Sequence, residues 1–196
     1  MNGLTGSNLA ILGIIGASLI LLLTENWRFY LVALAIQYLA VFWLISFEWN
    51  FGLAAVKLVV GLMAAAILGA SHPETDLSYK HGKGGNAGML FRFLTAIEIW
   101  LMIYAFSPSV AAWLGLSNTA VFGGFLLAGM GILQIGLGSG RIRPIVGLLS
   151  CMSGFEIIYA SLSSSVLVTG LLALVNLSLA IIGSYWMSFP NEEVRE

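Results

Sequence analysis

Charged residues are scarce in this sequence. Asp, Glu, Lys and Arg together make up 9% of the 196 residues, whereas hydrophobic residues make up 59%. A soluble domain is typically about 25% charged, so this chain lacks the charge needed to cover a surface in water. The composition therefore predicts an integral membrane protein that lies in the lipid bilayer.

The sequence also has few of the residues that build catalytic, metal or nucleic-acid sites. Its one cysteine, Cys151, cannot form an internal disulfide, and no C-x-x-C motif or His/Cys cluster indicates a metal site. No Ser/His/Asp set, H-E-x-x-H motif or haem-type histidine pair occurs in the apolar runs. The net charge of −1 and the lack of a basic stripe argue against a nucleic-acid partner. We therefore predict no catalytic residue, metal site or bound cofactor in this chain.

The apolar residues form seven long runs. A membrane-spanning helix needs roughly 20 mostly apolar residues, and open sheets leave backbone groups unpaired in lipid. No Lys or Arg precedes Arg28, so the first run is predicted to be a retained helix rather than a signal peptide. We expect one membrane domain over residues 1–196, an all-α bundle of about seven transmembrane helices. The predicted helices are Ser7–Leu23, Phe29–Phe47, Phe51–Ala70, Met89–Phe106, Thr119–Leu137, Ile142–Leu162 and Val166–Met187.

The basic residues lie almost entirely on one side of this predicted bundle. Seven of the eight Lys and Arg residues fall at one set of helix ends or in the C-terminal tail, and the opposite loops contain none. The positive-inside rule then predicts an outside N-terminus and a cytoplasmic C-terminus. Residues 71–88 become a cytoplasmic loop, which includes His72, His81 and a GKGG stretch. That stretch lacks the spacing of a phosphate-binding P-loop, so we interpret the loop as a connector.

Three charged residues remain inside the predicted helices: Lys57, Glu98 and Glu156. A charge at bilayer depth costs roughly 2.5–3.5 kcal/mol on insertion scales, so each is a functional hypothesis. Lys57 and Glu156 each lie six residues from the outer end of a predicted helix, and Glu98 lies near the bilayer centre. The residues alone leave three interpretations open: a proton relay, an ion pair that fixes helix packing, or a charge that faces another protein.

Uncharged polar residues and glycines within the runs indicate contacts between helices. Gln37, Gln134 and Asn176 each fit an interhelical hydrogen bond, and together they can extend a hydrogen-bonded path from the charges. We include Asn176 with the three charged residues in the predicted proton path. The six tryptophans lie mostly near predicted helix ends, which is typical of interfacial anchors. A tight face of the fifth helix is indicated by Gly123, Gly124, Gly129 and Gly131.

The C-terminal runs contain a distinctive order of motifs. FLLAGMGILQIGL is followed by the basic turn RIRP and then by IVGLLSCMSGFEIIYASL. The segment from Phe125 to Met187 thereby resembles the K-type membrane subunit of respiratory complex I and its relative in Mrp-type cation/proton antiporters, and we assign a K-like three-helix part to residues 119–187. The family's G-x-E-[IL] element is Gly154-Phe155-Glu156-Ile157 here, so the resemblance implies that Glu156 is the proton-path glutamate. Complex I members carry a second glutamate on the next helix, where Asn176 is the nearest polar residue.

Over nearly the whole chain, the seven runs and the lysine in AAVKLVVGLM resemble the E-type membrane component of formate-hydrogenlyase and hydrogenase-4 type complexes. The resemblance implies a non-redox subunit of a proton-translocating oxidoreductase in a prokaryotic inner membrane. Its implied partners are antiporter-like subunits and a quinone- or hydrogenase-facing subunit. The expected function is to contribute Lys57, Glu156 and other polar groups to proton or cation translocation. The alternatives are a stand-alone small transporter and a structural or assembly subunit with buried ion pairs.

Overall fold

The chain folds into a bundle of helices. The structure, a computed structural model, describes residues 2–24, 26–71, 85–138 and 140–189, and the side chains of residues 2–5 and 85–87 are not included in this description. Within these ranges there are seven helices long and apolar enough to cross a membrane, and no strand. The predicted number of helices and the all-α class are confirmed. The helices are α1 Asn2–Leu23, α2 Trp27–Ile45, α3 Phe51–Ala70, α4 Gly85–Leu114, α5 Asn118–Leu137, α6 Ile142–Leu162 and α7 Val166–Ser188.

The largest difference from the predicted bounds concerns α4. Met89–Phe106 was the predicted range, but the helix begins at Gly85 and continues through Pro108 to Leu114. Proline removes one backbone donor without forbidding a helix in an apolar bundle. The helix instead ends before Gly115, whose φ of 68° is left-handed. Residues 72–84, which form most of the predicted loop and contain both histidines, lie outside the described residues.

Contacts between turns show which helix ends lie together. The guanidinium of Arg143, at the start of α6, donates to the carbonyl of Thr24 after α1. Trp49, in the turn between α2 and α3, donates its indole N–H to the carbonyl of Ser163 after α6, at 2.9 Å. We call the end with Arg141 and Arg143 the arginine end, and the end with Trp49 and Ser163 the far end. The orientation of these two ends in a membrane stays a prediction.

Two pairs of glycines let α5 and α6 approach closely. A Cβ on Gly131 would lie 2.5 Å from the carbonyl oxygen of Gly147, and a Cβ on Gly124 would lie 2.8 Å from that of Gly154. The pairs are seven residues apart on each helix, so they lie on one face of two antiparallel helices. Small residues permit this backbone contact in transmembrane bundles. The contact fixes the position of α6, the helix that carries Glu156.

The other two glycines predicted for this face lie elsewhere. A Cβ on Gly123 would meet Leu44 of α2, and a Cβ on Gly129 would meet Ile99 of α4. The glycines of α5 therefore lie against three neighbouring helices, α2, α4 and α6.

Replacing Gly131 by alanine is expected to destabilise the bundle by about 1–3 kcal/mol, the usual cost of overpacking. The added methyl group meets a backbone carbonyl of α6, which cannot move as a side chain can. Gly136→Ala on the same helix is the matched control, because a Cβ there has no neighbour within 4 Å. Denaturant-induced unfolding in detergent measures both variants, and equal stability of the two would contradict the glycine contact.

Helix α4 lies at the edge of the bundle. Its main contacts are with α5 and α1. In its spanning part 6% of the residues are buried inside the chain, compared with 56% for α6. Most of α4 therefore faces either lipid or another protein.

Candidate functional site

Lys57 and Glu156 form a buried ion pair in the bundle. The Nζ of Lys57 on α3 contacts the Oε2 of Glu156 on α6, and the two side chains are 5% and 4% exposed. Each residue lies six positions from the far end of its helix, about 9 Å along the axis. Equal depth in antiparallel helices is what allows the two long side chains to meet. The sequence left the partner of Lys57 open, and the structure identifies Glu156.

Asn176 completes the carboxylate's contacts from a third helix. Its side-chain amide donates to Oε1 of Glu156 and also to the carbonyl of Leu172 within α7, at 3.1 Å. Asn176 is fully buried. Both carboxylate oxygens thus have a donor, one from α3 and one from α7. Asn176 orients the carboxylate and carries no exchangeable charge of its own.

An aromatic ring lies against the ammonium group. The Nζ of Lys57 is 5.1 Å from the centroid of the Tyr38 ring on α2, within the range of a cation–π contact. The ring has space there because Gly61, one turn from Lys57 on α3, has no side chain, and a Cβ on Gly61 would overlap the ring. The ammonium is therefore stabilised by a carboxylate and by the face of an aromatic ring.

A small cavity of about 10 Å³, enough for one water molecule, adjoins the pair. It is lined by residues of α3, α6 and α7 and by Trp49 and Ile45 at the far end of α2. Trp49 was grouped with the interfacial anchors, but it is 6% exposed and lines this cavity. Its ring is buried because the indole N–H reaches the carbonyl of Ser163 across the bundle. The ion pair thus borders a cavity on its far-end side.

Glu98 lies apart from this cluster. It is on α4, it is exposed, and the charged contact of Lys57 is with Glu156. The predicted path residues therefore divide into two groups. Lys57, Glu156 and Asn176 form one buried cluster, and Glu98 occupies the outer surface of the bundle.

Gln37 and Gln134 do form interhelical hydrogen bonds. Gln37 donates to the hydroxyl of Ser150 at 2.9 Å, and Gln134 accepts from the hydroxyl of Tyr30 at 3.2 Å. The sequence reasoning missed the two partner side chains, together with Tyr38 and Ser153. A signal was present in the sequence, because Ser150, Ser153 and Glu156 recur every three residues on one helix face.

The side chain of Arg143, from the basic turn RIRP, lies inside the bundle, which the sequence did not indicate. Its position counted toward the topology, but the side chain is 2% exposed. It donates to the carbonyls of Leu22 and Thr24 at 3.2 and 2.9 Å, and its guanidinium is 5.9 Å from the Tyr30 ring. Arg143 thus binds the end of α1 inside the bundle.

The cluster has the chemistry of a proton-binding site. The ion pair is neutral overall, and protonation of the carboxylate leaves a single positive charge on Lys57. Alternatively, a proton passes from Lys57 to Glu156 across the contact, which leaves two neutral groups. A low dielectric makes the balance between these states sensitive to any nearby charge. A carboxylate and an ammonium in contact are thus the kinds of group that a proton-binding site requires.

The seven helices define a multi-pass helical membrane protein. Comparisons of the chain with protein-family models, with curated proteins and with solved structures find no match. The resemblance to K-type and E-type subunits therefore stays a prediction, and a functional hypothesis depends on the residues of the bundle.

Proposed function

We propose that the chain is a membrane subunit of a larger complex I-like or hydrogenase-type energy-converting assembly, in which Lys57 and Glu156 take part in proton or cation translocation. The observation that carries the proposal is the buried contact between an ammonium and a carboxylate beside a cavity. Asn176 holds the carboxylate in place without competing for its proton.

A role in packing alone explains the pair less well. Desolvation of two ions costs several kcal/mol each, and apolar residues of similar volume often give equal or greater stability. The pair also borders a cavity, whereas a packing device is best placed where side chains fill the space completely. A proton-handling role accounts for both features, because it requires ionisable groups and because the cavity has room for one water molecule beside them.

The exposed surface of α4 supports the subunit part of the proposal. Glu98 lies on a spanning segment of which only 6% is buried inside the chain. A carboxylate that faces lipid costs roughly 2.5–3.5 kcal/mol at the bilayer centre. A neighbouring transmembrane helix with a basic or hydrogen-bond-donating side chain removes that cost. This arrangement is the one expected for a chain surrounded by other membrane subunits.

Glu156→Gln is expected to reduce proton translocation by roughly a hundredfold or more, the usual contribution of a positioned proton-transfer group. Glutamine keeps an acceptor oxygen for Lys57 but cannot be protonated. The assay uses native membrane vesicles, with translocation followed by a pH-sensitive dye and expressed per assembled chain. Glu48→Gln is the matched control, because Glu48 is exposed at the far end and outside the site.

The assembly itself is identified by purification of the tagged chain in mild detergent, and its energy source is then used in the assay. Co-purification with antiporter-like membrane subunits and iron–sulfur proteins is the expected result. A lone, homogeneous chain would contradict the subunit proposal and favour a small transporter. Unchanged translocation by Glu156→Gln would contradict the role of the carboxylate.

The second candidate is a structural or assembly subunit. One observation favours it: the cluster of Lys57, Glu156 and Asn176 joins three helices, α3, α6 and α7. In that case the pair selects one packing arrangement and has no proton to move. Replacing both Lys57 and Glu156 by apolar residues separates the two candidates.

A further inference from the structure

Buried polar side chains continue from the ion pair toward the arginine end of the bundle. On α6, Ser150 and Ser153 follow the same face as Glu156, and both are fully buried. The face is directed at α2, where Gln37 and Tyr38 lie at matching depths. The six residues before Ser150 have no polar side chain, and Arg143 precedes them in the first turn of the helix.

The contacts divide this row into levels. Nearest the pair, the Tyr38 hydroxyl lies beside the hydroxyl of Ser153. At the next level the amide of Gln37 donates to Ser150 at 2.9 Å. We call Tyr38, Ser153, Gln37, Ser150, Tyr30 and Gln134 the polar file.

The last level lies at the arginine end. There the Tyr30 hydroxyl donates to Gln134 at 3.2 Å, and the ring of Tyr30 faces the guanidinium of Arg143 at 5.9 Å. From Arg143 to Glu156 the file spans thirteen residues of α6, which corresponds to about 20 Å.

Several atoms of the polar file have unused hydrogen-bonding capacity. Within the described part of the chain, Gln37 Oε1 and Gln134 Nε2 make no hydrogen bond of standard geometry. Tyr38 Oη and Ser153 Oγ have no side-chain partner there except each other. Buried polar groups in proteins are almost always satisfied by protein or by ordered water. Polar groups used only to join helices are expected to satisfy each other's donors and acceptors. The unused capacity therefore points to water molecules between the levels.

We propose that the polar file conducts protons between the arginine end of the bundle and the Lys57–Glu156 pair. This inference rests on the proposed function, since it supplies the route by which the carboxylate exchanges its proton. At each hydroxyl or water, an oxygen accepts one proton and releases another to the next oxygen, so no charge or electron is left behind. The amides of Gln37 and Gln134 orient their neighbours and do not carry the proton.

The distances between neighbouring levels of the polar file show where proton transfer requires water. Ser153 and Tyr38 bridge the short distance from Ser150 to Glu156, six residues or about 9 Å. Between Gln37 and Tyr30 there are seven residues, about 10 Å along α2, and this interval needs water in series. On the other side of the pair, the cavity extends toward Trp49 at the far end. The ion pair thus lies between the polar file, which leads to the arginine end, and the cavity, which lies toward the far end.

The test removes single hydroxyl groups from the file with little change in volume. The variants are Ser150→Ala, Ser153→Ala and Tyr38→Phe, and the last of these keeps the ring that faces Lys57. Ser18→Ala is the matched control, because Ser18 is equally buried but donates within its own helix, to the carbonyl of Ile15. Translocation is measured per assembled chain in the native membrane vesicles, in H₂O and in D₂O, with Glu156→Gln alongside.

We expect each file variant to translocate protons about tenfold more slowly, the effect of one lost hydrogen bond in a rate-limiting transfer. The ratio of the rates in H₂O and D₂O should rise, which a merely structural loss of assembled chains would not cause. Ser150→Thr, which keeps the hydroxyl, should restore the rate, and Ser18→Ala should not change it.

The outcomes distinguish the polar file from the proposed function. If Glu156→Gln abolishes translocation and the file variants work at the full rate, the file is overturned and the carboxylate keeps its role. If Glu156→Gln has no effect, both proposals fail. A slower rate with an unchanged isotope ratio in every file variant would show that the hydroxyls support the structure and do not conduct.

Discussion

The double substitution Lys57→Met with Glu156→Leu is expected to recover most of the stability that Glu156→Leu alone loses, without recovering translocation. The single variant leaves an ammonium buried at 5% exposure without its carboxylate. Breaking a buried pair in this way typically costs about 3–5 kcal/mol, whereas apolar replacement of both partners is often neutral or stabilising. Stability is measured by denaturant-induced unfolding in detergent, and translocation is measured in the native vesicles.

This pair of measurements separates the proton-handling role from the packing role. If the ion pair only fixes helix packing, the double variant is stable and the assembly works normally, and the proposed function is wrong. If the carboxylate carries protons, the double variant is stable and inactive. Thr169→Val, in the wall of the same cavity, is the control for a change of polarity near the site. Its hydroxyl bonds only within α7, to the carbonyl of Ser165, so a small effect is expected.

The number and class of the helices could be predicted from the sequence because the bilayer sets a single length scale. Runs of roughly 20 apolar residues are recognisable without any knowledge of neighbours. The same scale placed Lys57 and Glu156 at equal depth, since each is six residues from the far end of its helix. Depth follows from sequence position alone, and for that reason the two residues could be considered together before their contact was known.

The direction in which each side chain points could not be predicted in the same way. Helices that are apolar on all sides show no amphipathic stripe to identify the inner face. The sequence therefore left both Glu98 and Glu156 open as the partner of Lys57, although α4 lies at the edge of the bundle and α6 is more than half buried. Which glutamate meets Lys57 depends on how α3, α6 and α7 pack, and that packing is determined by contacts such as the glycine pairs of α5 and α6.

For Arg143, near a helix end, the direction of the side chain could not be predicted from the sequence either. The charge and the sequence position of Arg143 place it at the basic end of the bundle. The positive-inside rule, however, concerns basic residues in loops exposed to water. The side chain instead turns inward, where the last carbonyls of α1 lack donors within their own helix. A buried arginine of this kind is recognised only when the helix end that it binds is known.

Arg143→Leu is expected to destabilise the bundle by about 3–5 kcal/mol, since the loss leaves one buried and one partly buried carbonyl without their charged donor. The guanidinium donates to the carbonyls of Leu22 and Thr24 and lies 5.9 Å from the centroid of the Tyr30 ring. Its planar fork reaches both oxygens at once, and the positive charge is favourable at a helix C-terminus. Unfolding in detergent measures the change, with helix content followed by circular dichroism.

Two further variants make this prediction specific. Arg143→Lys keeps the charge but presents a single ammonium group, which cannot reproduce the fork, so we expect about half of the loss. Arg141→Leu removes the neighbouring arginine, which is partly exposed and donates to the carbonyls of Trp186 and Phe189 at the end of α7. Water replaces those exposed bonds, so the expected loss is about 1 kcal/mol or less. Equal effects of Arg143→Leu and Arg141→Leu would show that Arg143 acts as a surface charge, as its position in the sequence suggested.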